Sequence, residues 1–331
     1  MEIPNEWAGL QKLDVVAALT ASNDSRAREL EFKMGLDWRM RIVITSFVLA
    51  VLTCAALPLF GQEQGIDAVA LVRRATQNEI AATGPTKPPY FMYKDNTQWK
   101  DHSVTTQSIE TAEGGLSRTI AKNGQPLTPD EQAQADQKLK SFAFDPEARR
   151  KKFRANREDD QRSITMMRSL PDAFTYQVTG VTRDPNGDEM VHLKFKSRPG
   201  WNAPTRETRP FEGMEGEMII DQTAGRIAEI NGELFKDVDF GWGILGRLNK
   251  GGKFIIHQAP VGGGKWEETE ETLHFTGKIL LVKNLTVWST ETLTDFHPVP
   301  SNLTTAQALQ MLQNPDDVLA VNGGGIKEKQ K

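Results

Sequence analysis

The side chains best placed to do chemistry fall into a few short patterns, and the spacing of each can be tested against what the chemistry requires. Gly241-Trp242-Gly243-Ile244-Leu245-Gly246 spells G-x-G-x-x-G. Dinucleotide binding needs a strand before that pattern and a helix after it, because the helix N-terminus holds the pyrophosphate. Only Arg247 to Lys250 separate the pattern from Gly251-Gly252, too few residues for such a helix. A tight connection between strands, with Trp242 as an anchor, accounts for it. Asp184-x-Asn186-x-Asp188 matches the opening of a calcium loop, but that loop also needs Gly sixth and Glu twelfth. Glu189 and Phe195 stand there, so a hairpin turn is the reading. Gly262-Gly263-Gly264-Lys265 is followed by Trp266 where a phosphate loop carries Ser or Thr, and it reads as a flexible hairpin. Glu267, Glu268, Glu270 and Glu271 could pair for acid–base work. Consecutive strand residues alternate faces, so a solvated edge strand, charged against aggregation, is expected instead.

The five histidines, at 102, 192, 257, 274 and 297, form no H-E-x-x-H and no close pair, and His192 and His274 are expected to be solvated on strand faces. No G-x-S-x-G elbow occurs. No catalytic, cofactor-binding or metal-ligating residue is therefore assigned, and no cofactor is implied. A formal charge of -4 gives no basic field for nucleic acid. One cationic stretch does stand out: Arg149, Arg150, Lys151, Lys152, Arg154 and Arg157, followed at once by Glu158, Asp159 and Asp160. Contact with anionic headgroups is one use for it. The adjoining acids favour intrahelical ion pairs.

These residues must be positioned by elements outside a membrane's inner side. Residues 42–60 carry no charge, and nineteen residues at about 1.5 Å each give roughly 28 Å, close to a bilayer core. Arg39 and Arg41 precede the run and Glu63 and Asp67 follow it, which puts the N-terminus in the cytoplasm and the rest of the chain outside. Two fates are open: cleavage near Gly61-Gln62, or retention as a single-pass anchor. Met1, Met34 or Met40 is the true start. Cys54, the sole cysteine, follows Val51-Leu52-Thr53, a poor match to a lipid-attachment box. The exported part therefore has no disulfide and must rely on a hydrophobic core. Residues 1–38 are a cytoplasmic or non-native extension, 39–62 the signal or anchor, 65–313 the exported domain and 314–331 a disordered tail.

Within that domain, residues 65–82 have helical spacing, ended by Gly84-Pro85. Strands are expected over Tyr90 to Lys94, Trp99 to Ile109 and Leu116 to Ala121. Thr128-Pro129-Asp130-Glu131 is a capping box that opens a helix to about Phe142. Asp145-Pro146-Glu147 opens another, expected to stop near Ser169 before Pro171. Phe174, Tyr176 and Val178, then Val191, Leu193 and Phe195, alternate with polar residues about the turn at 184–188, an antiparallel hairpin with one buried face. Met218 to Asp221 with Arg226 to Ile230 make a second hairpin, and Phe254 to Trp288 a meander. A short helix, Thr304 to Leu312, follows. The fold class is α+β: one curved antiparallel sheet of nine to eleven strands, half-barrel-like, with helices packed on one face and one apolar helix before it. No internal repeat is evident.

Gly216-Glu217-Met218-Ile219-Ile220-Asp221-Gln222-Thr223 followed by Arg226-Ile227-Ala228-Glu229-Ile230 resembles the strand–turn–strand hairpin of the periplasmic lipoprotein-carrier, or lipoprotein-sorting, fold. The starting helix and the helices between two blocks of strands are similar too, over roughly residues 65–300. The resemblance implies a half-barrel whose gap holds acyl chains, and it transfers no functional residue. It sets the leading expectation: a non-enzymatic cell-envelope protein, periplasmic or on the outer face of the inner membrane, binding a lipid or lipidated partner in an apolar cavity. Tyr90, Phe174, Tyr176, Val178, Val191, Leu193 and Phe195 are the expected lining. The alternative is an envelope interaction module with a solid core, and an enzyme is third. The membrane is a partner through residues 42–60 if they are uncleaved.

Overall fold

A computed structural model describes residues 65–84, 87–241, 245–280 and 283–314. The apolar run at 42–60, the extension before it and the tail from 315 lie outside these. No helix among the described residues is long and apolar enough to cross a membrane.

The chain opens with α1 (Ala68–Ala82), whose Asp67 carboxylate caps the Ala70 amide. Four strands follow: β1 (Tyr90–Trp99), β2 (Ser103–Ile109), β3 (Leu116–Lys122) and β4 (Gln125–Pro126). The expected capping box forms at Thr128 and Glu131 and starts α2 (Pro129–Ala143). Asp145 accepts from the Glu147 and Ala148 amides and starts α3 (Pro146–Ala173). Helix α3 does not stop before Pro171 as expected; that proline lies inside its last turn, and the helix ends only where the aromatic alternation begins at Phe174. Then come β5 (Phe174–Arg183), β6 (Glu189–Ser197), a 3-10 turn (Arg209–Gly213), β7 (Met214–Asp221) and β8 (Arg226–Leu234). The short β9 (Val238–Phe240) and β10 (Gly246–Leu248) precede the long meander β11 (Lys253–Gly262), β12 (Lys265–Ile279) and β13 (Lys283–Val299), and α4 (Thr305–Gln313) closes the fold.

All strands belong to one open antiparallel sheet in the order β4-β3-β2-β1-β13-β12-β11-β8-β7-β6-β5, with β10 joining β12 to β9. One row of directly opposed residues crosses most of it: Val178, Leu193, Met218, Ile230, Ile256, Glu271, Glu291, Thr97 and Val104. The row is apolar from β5 to β11, turns polar at Glu271, Glu291 and Thr97, and ends on Val104 of β2. Helix α1 and the end of α3 cover the apolar half through Leu71, Val72, Ala75, Leu170 and Ala173.

A second core lies at the other end. There Tyr90, Met92, Ile109 and Leu116 pack on Leu139 of α2 and on Ala308, Leu309 and Leu312 of α4. Met92 is five residues from Thr97 on an unbroken ladder with β2, so this core uses the opposite residue face. The expectation of helices on one face is therefore corrected. Strand twist of about 20–25° per pair accumulates along so long a sheet and changes which face each end offers to a helix. Helix α3 reaches both cores: Arg149 near its start donates to Thr305 of α4, and Asp172 near its end meets Arg73 of α1.

Candidate functional site

Six of the seven expected lining residues come together. Phe174, Val191, Leu193 and Phe195 are buried in the first core, with Tyr176 and Val178 packed against it, whereas Tyr90 belongs to the second. The rings interlock: Phe174 meets Phe195 edge-on at 4.9 Å and Phe211 at 5.2 Å. The Tyr176 hydroxyl donates to the Leu170 carbonyl at 2.7 Å, tying β5 to the end of α3, and burial pushes its ionisation far above the ordinary tyrosine range. The void among Leu170, Phe174, Tyr176, Phe195, Met214 and Met218 is about 10 Å³, room for no more than one water molecule. A hollow of about 550 Å³ over this hairpin is an open trough on the outer side, where Lys194, Lys196, Glu215 and Glu217 stand over the strands.

The glutamate-rich strand departs from expectation in two ways. Strand β12 is not an edge but runs between β11 and β13. A register shift sets Glu270 opposite His257 and Glu268 opposite Gln258, so Thr269 is an extra residue. That bulge brings Glu268 and Glu271, three apart, onto one face, and Glu291 sits directly opposite Glu271. One carboxylate oxygen from each of the three lies within 4.8 Å of the others. Oxygens so grouped have the chemistry to hold a hard divalent cation. Strict alternation hid this cluster, because a bulge leaves no signal in residue type.

Two further ionic groups fasten the sheet. Glu79 of α1 accepts from Arg226 Nε (2.9 Å), Arg226 Nη2 (2.7 Å) and the Ile227 amide (3.0 Å), while the guanidinium stands 5.6 Å from the Trp266 ring. Lys265 Nζ donates to both Glu110 oxygens at 2.9 Å and lies 2.7 Å from Glu267. Burial raises the Glu110 carboxyl, with the Lys265 hydrogen bond opposing. Burial would lower the Lys265 ammonium, but its bonds to Glu267 and Glu110 outweigh that and raise it.

The patterns weighed in the sequence resolve into turns. Asp184 Oδ1 accepts from the Asn186 and Asp188 amides, an Asx turn within the β5–β6 hairpin. Gly262, Gly263 and Gly264 all take positive φ between β11 and β12, which explains three glycines in a row. Gly241 and Leu245 lie between β9 and β10, short strands that the sequence did not suggest. His192 bonds Thr182 Oγ1 at 2.7 Å. His274 is not solvated as expected: its ring stacks on Trp288 at 5.1 Å and its Nε2 is buried without a partner. In the cationic stretch the expected intrahelical pairing is sparse. Arg150 reaches Glu147, but Arg149 pairs outside the helix with Glu113.

The ends of the sheet differ. β4 is two residues long and contains Pro126, which blunts that edge. At the other end β5, ten residues long, pairs with β6 alone among the described residues and carries no charge from Phe174 to Thr182. Val181 on it is 47% exposed.

No family model matches the chain, and no curated protein matches it. Among solved structures it is similar to a DUF1329 family protein from Desulfovibrio piger ATCC 29098, at 11% identity over 72% of this chain and 95% of that one, with a TM-score of 0.25. It is also similar to a chain of the Pseudomonas aeruginosa MucA/MucB complex, at 10% identity over 74% of this chain and 97% of that one, with a TM-score of 0.20. Likeness at this level says nothing of what the chain binds or does.

Proposed function

We propose that this chain is a non-enzymatic cell-envelope protein, exported by residues 42–60, and that it works as an interaction module receiving an extended partner segment along β5. The uncharged, one-sided edge of β5 carries the reading. Natural edge strands are usually short, charged or interrupted by proline. β4 at the opposite end follows that rule; β5 is long and uncharged over nine residues, and its one interruption is the register shift at Thr179. Addition of a partner strand would satisfy the free backbone groups of β5, and side chains such as Thr179 and Val181 would set specificity. The test is a photo-crosslinking residue at position 181 of the chain expressed in cells. A discrete protein adduct, lost on Thr179→Lys, supports the edge. Crosslinking that is absent at 181, or unaffected by the lysine, overturns it.

The second reading is the lipid carrier, a half-barrel with Phe174, Tyr176, Val178, Val191, Leu193 and Phe195 as its lining. Its support is the convergence of those six on one apolar face beneath α1 and α3. With a void of about 10 Å³ there, it requires these helices to lift for an acyl chain to enter. Native mass spectrometry of the purified protein separates the two: co-purified lipid favours the carrier, and a bare mass favours the module.

A further inference from the structure

The joint between α2 and α3 exposes apolar surface beside cations. Phe144, between the helices, is 70% exposed, and Phe153, two turns into α3, is 39% exposed. From Pro146 to Arg157 the helix holds six basic residues against one acid, Glu147. At about 100° per residue, Arg150, Phe153, Arg154 and Arg157 fall within an arc of roughly 100°. All four are exposed. Their neutralisation is partial: Arg150 reaches Glu147 and Asp160 lies close enough to Arg157 to feel its charge, whereas Asp159 pairs with Arg162 and Arg149 turns to Glu113 and Thr305. Arg154 is in no ion pair among the described residues. Isolated exposed apolar side chains are ordinary. Two exposed phenylalanines beside a cationic stripe that its neighbouring acids only partly offset are the composition of a surface that lies on anionic headgroups.

The tether agrees in length. The apolar run ends at Phe60 and α1 begins at Ala68, a link of at most about 28 Å. The first half of α1 meets the end of α3 at Arg73 and Asp172. Phe153 lies nineteen residues before Asp172, roughly 28 Å along the helix. A domain held near a bilayer at the start of α1 can therefore lay α3 along it and set the stripe on the headgroups.

We infer that the first half of α3, with Phe144 at its corner, docks on an anionic phospholipid surface, Phe144 and Phe153 entering the interface and Arg150, Arg154 and Arg157 contacting phosphates. The inference goes beyond the β5 reading and does not depend on it. The full chain, with Cys54→Ala and either Asn156→Cys or Asn186→Cys carrying a fluorophore, is reconstituted in nanodiscs containing a spin-labelled quencher lipid. The bilayer is phosphatidylcholine alone or with phosphatidylglycerol. The label at 156 is expected to be quenched severalfold more in the phosphatidylglycerol discs, and the label at 186, on the β5–β6 turn, weakly and equally in both. Each arginine near an anionic surface contributes about a five-fold factor in partitioning. Arg150→Gln, Arg154→Gln and Arg157→Gln together should bring quenching at 156 to the phosphatidylcholine level, and 0.5 M salt should do the same to the unsubstituted helix. Quenching at 156 that ignores phosphatidylglycerol and salt, or that is matched at 186, overturns the inference.

Discussion

The clamp between α1 and the sheet can be tested by removing one charge from it. Glu79 is 5% exposed and the Arg226 side chain 13% exposed, so the pair is largely out of water. Glu79→Gln keeps an oxygen for the Ile227 amide and deletes only the negative charge. Breaking a buried pair from one side costs about 3–5 kcal/mol, because the surviving charge stays buried without compensation. Arg226 retains some solvent and the face of Trp266, a contact worth about 0.5–1 kcal/mol, so the lower end applies: about 3 kcal/mol. For a domain of this size that is a fall in Tm of roughly 6–12 °C. Glu79→Met with Arg226→Met removes both charges and should recover most of the loss. Thermal and urea unfolding of the single, double and parent chains measure it. A Glu79→Gln variant within 1 kcal/mol of the parent, or a double variant no better than the single, refutes the assignment of α1's attachment to this pair.

Three other outcomes follow from particular contacts. A Cβ at Gly216 would lie 1.9 Å from the Asn231 carbonyl oxygen and 2.8 Å from the Phe195 ring, so Gly216→Ala should cost about 3 kcal/mol in urea unfolding. Tyr176→Phe leaves the Leu170 carbonyl without its donor and should cost about 1 kcal/mol; in the parent chain, ultraviolet titration should show this phenol ionising only with unfolding. Glu131 is held at about 2 by Lys122, by the Thr128 amide and by the Thr128 hydroxyl. A depressed carboxyl gives stability that is present above its unfolded value and lost as pH falls through the folded one. Tm against pH should therefore decline between about 4.5 and 2 in the parent and less steeply in Glu131→Gln.

Local chemistry was readable wherever a residue type has a single physical use. Thr128, Pro129 and Glu131 announced a helix start, Asp145 and Pro146 another, and the alternation from Phe174 to Phe195 a hairpin, all found in place. What the sequence hid was non-local. Pro171 reads in sequence as a stop, yet a proline in a last turn loses little when the packing of Leu170 and Ala173 holds the helix. The glutamates of β12 read in sequence as an edge because their neighbours are set by strand order, which alternation does not encode. Nor does composition distinguish a lining from a filled core: the residues at Phe174 to Phe195 have the character of both, and that they lie against one another beneath α1 and α3 is visible only in the fold.

The row of opposed residues that turns from apolar to acidic at β12 has a consequence for how the molecule yields. Neither core touches the other across that polar middle, so the chain holds two cooperative units with β12 and β13 as a shared spine. Amide exchange should then show two opening free energies. Loosening α1 at Glu79 would shorten protection in β5 to β8 and leave β1 to β3 unchanged, so that one half of the sheet can breathe while the other stays shut.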